Sequence, residues 1–252
     1  MKHIDVVYSF HDEEKIGDKI ILTEFPENLH NVGYNFINKH DNSFLKYNPY
    51  VGNNKSATTV DFREIDYNFI HNAKHIDSRS DLLFEYLNLD RFKITLKKPK
   101  FYIYENNKKE NIILIHTTGK GLTIPDWIIE HVYSKYNKNF RIIQIVPPNE
   151  ERIPNVEYKD FDFYNDPWEE VAEIASKSIM FIGVDSWVSH MAQAYTSNVN
   201  ILIPSVFIKQ FNNNSRPFST GGTIGNIWLH PNNYYFNESN RSISFTNSYL
   251  TL

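Results

Sequence analysis

The chain has 252 residues, 41% hydrophobic and 22% charged, the balance of a globular protein rather than a disordered or fibrous one. It contains no cysteine, which excludes disulfide frameworks, thiolate metal sites, iron–sulfur clusters and cysteine nucleophiles. A formal net charge of −4 leaves no global electrostatic footprint for nucleic acid or anionic lipid, and no apolar run approaches the roughly 20 residues of a membrane span. Met1-Lys2-His3 leads straight into an apolar run without a leader pattern, so a cytoplasmic protein with no stable membrane insertion is expected.

Residues 4–8 read as a first strand. Gly17-Asp18 opens a helical stretch through Ile20, Ile21, Leu22 and Phe25, with Pro26 interrupting it and Gly33 closing it. Residues 34–37 and 60–62 are the next expected strands. Residues 80–89 have helical spacing, with Ser80 as the expected N-cap and Leu82, Leu83, Tyr86 and Leu87 as the buried stripe. The wholly polar stretch 105–110 follows, and the domain boundary is placed there, giving domains 1–107 and 108–252.

The second half alternates more clearly. Residues 111–116 are a buried strand followed by a loop over 117–122. A helix to Tyr136 has Pro125 in its first turn and Thr123 as its expected cap. Strand 140–146 ends at Pro147-Pro148; helix 168–178, strand 179–184, helix 186–195 and strand 199–203 complete the pattern. Ala172, Ala175, Ala192 and Ala194 lie on the last two helices, where small side chains permit close packing on a sheet. A further strand is expected over 234–236. Strands alternating with helices imply an α/β fold with mostly parallel sheets.

Three segments carry candidate chemistry. The first is Gly183-Val184-Asp185-Ser186-Trp187-Val188-Ser189-His190, at a strand end opening into a helix, where unpaired amides favour an anion. No Asp or Glu occurs between Asp185 and Glu238, while His190, Lys209, Arg216 and His230 do, as a phosphate site would want. The competing reading is a capped helix with Asp185 as N-cap and His190 packed in the core. The second segment is His116-Thr117-Thr118-Gly119-Lys120-Gly121, where hydroxyls, amides and one ammonium can converge on an anion; otherwise it is a surface turn. In the third, Ile16-Gly17-Asp18, the carboxylate is either a general base or an ordinary first-turn acid favoured by the helix dipole.

Together these segments resemble the heptosyltransferase-like glycosyltransferases (family nine). The match comprises Gly17-Asp18, the loop His116-Thr117-Thr118 with Lys120, and the run 183–194, which follows the family's Gly-Val-Asp-(Ser/Thr)-Gly-x-x-His-(Leu/Met)-Ala-x-Ala signature. The resemblance implies the GT-B architecture, two facing Rossmann-like domains, the first on the acceptor side and the second binding a nucleotide sugar. It implies inverting, metal-independent transfer of a sugar to a hydroxyl acceptor, with no cofactor and no metal. By the same resemblance Asp18 is the catalytic base, and Thr117, Thr118, Lys120, Asp185, Ser186, Trp187 and His190 form the donor site. Trp187 stands where the family has glycine, and its indole either stacks on a base or sugar or packs on the neighbouring helix. The family's ribose-gripping carboxylate beyond the last strand has no counterpart in 186–237.

A surface glycan or lipooligosaccharide is the expected acceptor. The alternatives are a phage-type enzyme glycosylating a modified DNA base and a nucleotide-sugar-binding protein without turnover. Minor signals are assigned to structure. Asp160-Phe161-Asp162 is expected to place two carboxylates on one solvated strand face, and residues 221–225 to form a Gly-rich connection. Arg91, Lys93, Lys97, Lys98 and Lys100 lie beside Phe92, Phe101 and Tyr102, either as a solvated face or as a patch for an anionic acceptor.

Overall fold

Ile4, Asp5 and Val6 are buried in succession, the mark of a strand covered on both faces. A computed structural model describes residues 2–7, 16–39, 41–52, 57–62, 65, 78–119, 122–148, 150–162, 164–205 and 232–245. The chain separates into two compact units, residues 1–105 and 106–252.

In the first unit, strand β1 (Lys2–Val7) lies between β2 (Tyr34–Ile37) and β4 (Thr58–Asp61), and β2 carries the two-residue β3 (Val51–Gly52) on its far side. All three pairings are parallel. The segment following β1 is not one interrupted helix. Helix α1 (Ile16–Ile21) passes through a 3-10 turn, Leu22–Glu24, into α2 (Phe25–Asn31). Pro26 therefore starts α2, where its missing N–H has no intrahelical acceptor to serve, instead of breaking a helix. Gly33 follows α2 at φ +83°, a left-handed conformation that costs glycine little.

Helix α3 (Arg79–Tyr86) also differs from expectation. Ser78, not Ser80, is its N-cap, accepting the Asp81 amide at 3.2 Å. The Ser80 amide goes instead to Glu24 Oε1 at 2.8 Å. Leu82, Leu83 and Phe84 are fully buried and Leu87 packs half-buried against the same core, whereas Tyr86, expected in the buried stripe, is 56% exposed. These residues join Ile4, Val6, Phe25, Leu29, Phe36 and Phe62 in one core, with the Phe25 and Phe62 rings 4.9 Å apart.

Asn28 in α2 ties the unit together. Its Oδ1 accepts the amides of Thr95 and Leu96, both at 2.9 Å, and its Nδ2 donates to Ser80 Oγ and the Leu96 carbonyl, both at 2.7 Å. The segment 94–100 has no sheet or helix of its own, and this amide meets the backbone of Thr95 and Leu96 within it. Burial raises the Glu24 carboxyl to about pH 7 despite hydrogen bonds from Ser80 and Ser78 and the nearby Arg79.

The second unit is built on a seven-stranded sheet. Its strands are β5 (Ile112–His116), β8 (Arg141–Val146), β9 (Glu157–Asp160), β10 (Met180–Gly183), β11 (Val199–Pro204), β12 (Asn232–Asn237) and β13 (Ser242–Phe245). Their order is β13-β12-β11-β10-β5-β8-β9, parallel except for β13. Without β13, this is the doubly wound 3-2-1-4-5-6 arrangement, and the order reverses between β5 and β10. The sheet is therefore mostly parallel in an α/β unit, as expected. Helices α4 (Asp126–Tyr136), α5 (Glu169–Lys177) and α6 (Trp187–Tyr195) connect the strands. Ala172, Ala175 and Ala192 are fully buried, so α5 and α6 approach their neighbours closely.

The expected loop over 117–122 contains a short hairpin, β6 (Thr118–Gly119) paired with β7 (Leu122–Thr123). Thr123 is thereby committed to β7. Pro125 occupies the N-cap of α4, without a side-chain cap bond. Among the described residues, no helix is long and apolar enough to cross a membrane.

Candidate functional site

In an open parallel sheet the ligand crevice lies beyond the carboxyl ends of the strands, where the strand order reverses. Here that point is between β5 and β10, and the ladder pairs Gly183 with His116, the last residues of the two strands. The Val184 amide donates to the His116 carbonyl at 3.2 Å. A Cβ on Gly183 would collide with that same carbonyl oxygen, so the strand ends touch because residue 183 has no side chain. A Cβ on Gly119 would stand 2.9 Å from the Asp185 carbonyl oxygen and 3.2 Å from Ser186 Cβ. The fold thus packs segment 116–119 against segment 183–186. Lys120 and Gly121 lie outside the described residues, as do residues 221–225, Lys209, Arg216 and His230.

Ser186, not Asp185, caps α6. Its Oγ accepts the Ser189 amide at 3.4 Å, and Ser189 Oγ accepts the Ser186 amide at 3.0 Å, a reciprocal capping box. This frees Asp185 from the capping role of the competing reading. Asp185 is fully buried, with its Oδ1 3.5 Å from His190 Nε2, and His190 is itself buried. The pair sits inside the strand–helix turn. Ser186 and Thr117 are nearly covered as well, while Thr118 and Trp187 are half-buried.

The Trp187 indole lies against two aromatic rings. Its ring is 5.2 Å from Phe161 and 6.2 Å, edge on, from His116, which sets it over the carboxyl ends of β5 and β9. His116 Nδ1 lies 3.1 Å from the Ile145 carbonyl; a carbonyl only accepts, so Nδ1 carries the proton. Burial pushes the His116 imidazole down to about 4, which keeps it neutral at physiological pH.

Beside Thr117 and Thr118 opens a cavity of about 730 Å³, whose walls include Ile124, Ile129, Tyr133, Glu150 and Ile153. Two buried oxygens at this cavity, Thr118 Oγ1 and Glu150 Oε2, have no hydrogen-bond partner among the described residues. Such atoms cost about 1–3 kcal/mol each unless something else satisfies them. Glu150, which the sequence did not single out, is a cavity residue on the loop after β8. Buried Gln144 shapes the loop, accepting the Ile153 amide at 2.7 Å and donating to the Glu151 carbonyl at 3.1 Å.

A second cavity of about 650 Å³ lies among Pro147, Arg152, Asp160, Phe161 and Asp162. The Asp-x-Asp pair does not share a strand face. Strand β9 ends at Asp160, which pairs with Arg152 through contacts of 3.3 and 2.6 Å. Asp162 lies beyond the strand and accepts the Tyr164 amide at 3.0 Å and the Asn165 side chain at 2.5 Å.

In the first unit, Asp18 occupies the first turn of α1 and is 7% exposed.

Among solved structures, the chain is similar to the bacterial iron-containing dodecameric glycosyltransferase TibC from enterotoxigenic E. coli H10407, with a TM-score of 0.51 and 12% identity. The chain has a glycosyltransferase fold. The alignment covers 79% of this chain and 57% of TibC, so the chain spans little more than half of that protein. Also similar are the family 9 glycosyl transferase from Veillonella parvula DSM 2008 (TM-score 0.49, 13% identity, 95% of this chain and 86% of that one) and the E. coli heptosyltransferase WaaC with ADP (0.47, 13%, 80% and 87%). No protein-family model and no curated protein sequence matches.

Proposed function

We propose that this chain is an inverting, metal-independent glycosyltransferase that moves a sugar from a nucleotide-sugar donor to a hydroxyl on a surface glycan or lipooligosaccharide. The observation that carries this reading is the packing of segment 116–119 against 183–186 at the reversal point of the second sheet. Two segments chosen from the sequence for phosphate chemistry meet there.

In this reading Thr117, Thr118, Lys120 and Ser186 hold the donor diphosphate. Asp185 and His190 are too buried to lie along it and act by holding the turn from behind. Glu150 supplies what the acid-free stretch 186–237 lacks: a carboxylate oxygen at a cavity, able to accept from the two hydroxyls of a ribose. Charge builds on the leaving diphosphate as the anomeric C–O bond breaks, and hydroxyls, amides and an ammonium stabilise it. The acceptor oxygen forms its bond on the opposite face of the sugar and gives its proton to the Asp18 carboxylate.

The test is release of nucleoside diphosphate by the full chain incubated with nucleotide sugars and a lipooligosaccharide acceptor. Asp18→Asn is expected to lower turnover by about 10²–10⁴-fold while donor affinity stays within about twofold. Undiminished turnover in that variant removes Asp18 from the chemistry.

A further inference from the structure

Trp187 opens α6 directly after the capping residue Ser186, and the next three residues, Val188, Ser189 and His190, are almost wholly buried. Hydroxyls and amides of Ser186 and Ser189 close this turn, so its first helical position needs no large side chain to form. It nevertheless carries an indole, which is held on two sides. Phe161 lies 5.2 Å away at an interplanar angle of 39°, and His116 meets the indole edge on at 6.2 Å and 61°. Both supporting rings are 2% exposed, while the indole is only half-buried. His116 is in turn fixed through the Ile145 carbonyl. An indole seated on buried rings is a pre-oriented aromatic anchor, which loses little rotamer freedom when a flat partner arrives.

The neighbourhood indicates which partner that is. Helix α6 follows β10, and Phe161 is the first residue beyond β9, so the ends of β5 and β8 lie between them. Those two strands lead into Thr117-Thr118 and into the loop of Glu150. Phe161 and Glu150 are both walls of the cavity of about 650 Å³, a volume suited to a small molecule. Its walls carry five carboxylates, on Glu150, Glu151, Asp160, Asp162 and Asp166, and one cation, Arg152, which is paired with Asp160. A diphosphate is repelled from such walls, whereas a neutral group rich in N–H and O–H donors is not.

We propose that Trp187, seated on Phe161, is the stacking platform for the nucleobase of the donor and makes the base a main source of donor affinity. This inference rests on the donor reading, in which Thr118 and Ser186 meet the diphosphate and Glu150 the ribose. The base is the part of the nucleotide to which that reading gives no partner. It continues from the ribose and so belongs on the Glu150 side, over the strand ends that the indole crosses. The transferred sugar is bonded to the other end of the diphosphate, away from Glu150. Every base presents a π-face, so the platform serves purines and pyrimidines alike.

The experiment is calorimetry of the full chain with ADP, with UDP and with base-free ribose 5-diphosphate. Trp187→Ala and Trp187→Leu are each expected to weaken both nucleotides about tenfold, while Trp187→Phe stays within about threefold of the parent. Leucine keeps apolar bulk on Phe161 but has no π-face, so a loss in that variant is a loss of stacking and not of packing. The base-free ligand is expected to bind the parent at least tenfold more weakly than ADP and to be indifferent to all three substitutions. Nucleotide affinity unchanged in Trp187→Ala, or fully kept in Trp187→Leu, would overturn the proposal. So would base-free ligand that binds the parent as tightly as ADP, or that loses as much as the nucleotides in Trp187→Ala. Failure of the parent to bind either nucleotide is a different result: it removes the donor reading itself, and this inference with it.

Discussion

The amide of Val184 donates to the carbonyl of His116, joining the last turns of two strands that are neighbours in the sheet but 68 residues apart in the chain. The bond forms only because Gly183 leaves room for that carbonyl. Gly183→Ala should therefore push β5 and β10 apart at the reversal point. Neither Gly183 nor Gly119 has a positive φ, so the penalty is steric and not conformational. We expect a cost of about 3 kcal/mol for Gly183→Ala and about 1 kcal/mol for Gly119→Ala, whose added carbon would be less crowded. Urea unfolding curves followed by tryptophan emission measure both; equal midpoints for the two variants would contradict the steric ranking.

Thr118 separates ligand binding from stability. Its buried hydroxyl oxygen has no partner among the described residues, so Thr118→Val removes an unsatisfied polar atom at nearly constant shape. The free protein should be unchanged or slightly more stable. Donor affinity should fall about fivefold if that hydroxyl meets the diphosphate, which calorimetry with the nucleoside diphosphate reads directly. A variant that loses stability but keeps its affinity would make Thr118 a structural residue.

The two units should respond to pH in opposite senses. His116 is held at about 4 in the fold against 6.5 ordinarily, so the unfolded chain takes up its proton first. The second unit then loses on the order of 3 kcal/mol as pH falls from 6.5 to 4. Glu24 is raised from 4.5 to about 7, so the folded state holds its proton longer. The first unit is favoured below pH 4.5 and loses a similar amount, about 3 kcal/mol, as pH rises to 7. All four tryptophans lie in the second unit. Emission should therefore report only the acid-sensitive transition, while far-ultraviolet circular dichroism reports both. Glu24→Gln should flatten the alkaline loss and leave the emission transition in place.

The strands that the sequence showed plainly are those buried on both faces. Residues 112–116 and 142–146 lie under covering helices and read as near-continuous apolar runs. Strand β9, Glu-Tyr-Lys-Asp, was invisible because it is an exposed edge whose place comes from its ladder with β8. Caps were ambiguous for a different reason. Ser78 and Ser80 are chemically equal N-caps, and Glu24, 56 residues upstream of Ser80, settles the choice by taking the Ser80 amide.

The site divided along the same line. The run 183–190 could be recognised because strand end, cap and helix are contiguous. Glu150 could not, since its importance arises only where the loop after β8 meets the loop after β5. The partner of Trp187 was hidden for the reason β9 was: Phe161 is the first residue beyond that edge strand.

The clasp at Asn28 has a consequence for dividing the molecule. Thr95, Leu96 and Lys100 donate their amides to Asn28 and Thr23, whereas Asn107 and Lys109 bond to the far half through Ser176, Ser178 and Tyr195. Severing the polypeptide before Thr95 would orphan the amide of Asn28, severing it before Lys100 would take the Lys100 amide from Thr23, and severing it after Asn107 would take the anchor on Ser176 from the other piece. Scissors have a window of a few residues around Tyr104, and a protease that yields two folded halves should cut there.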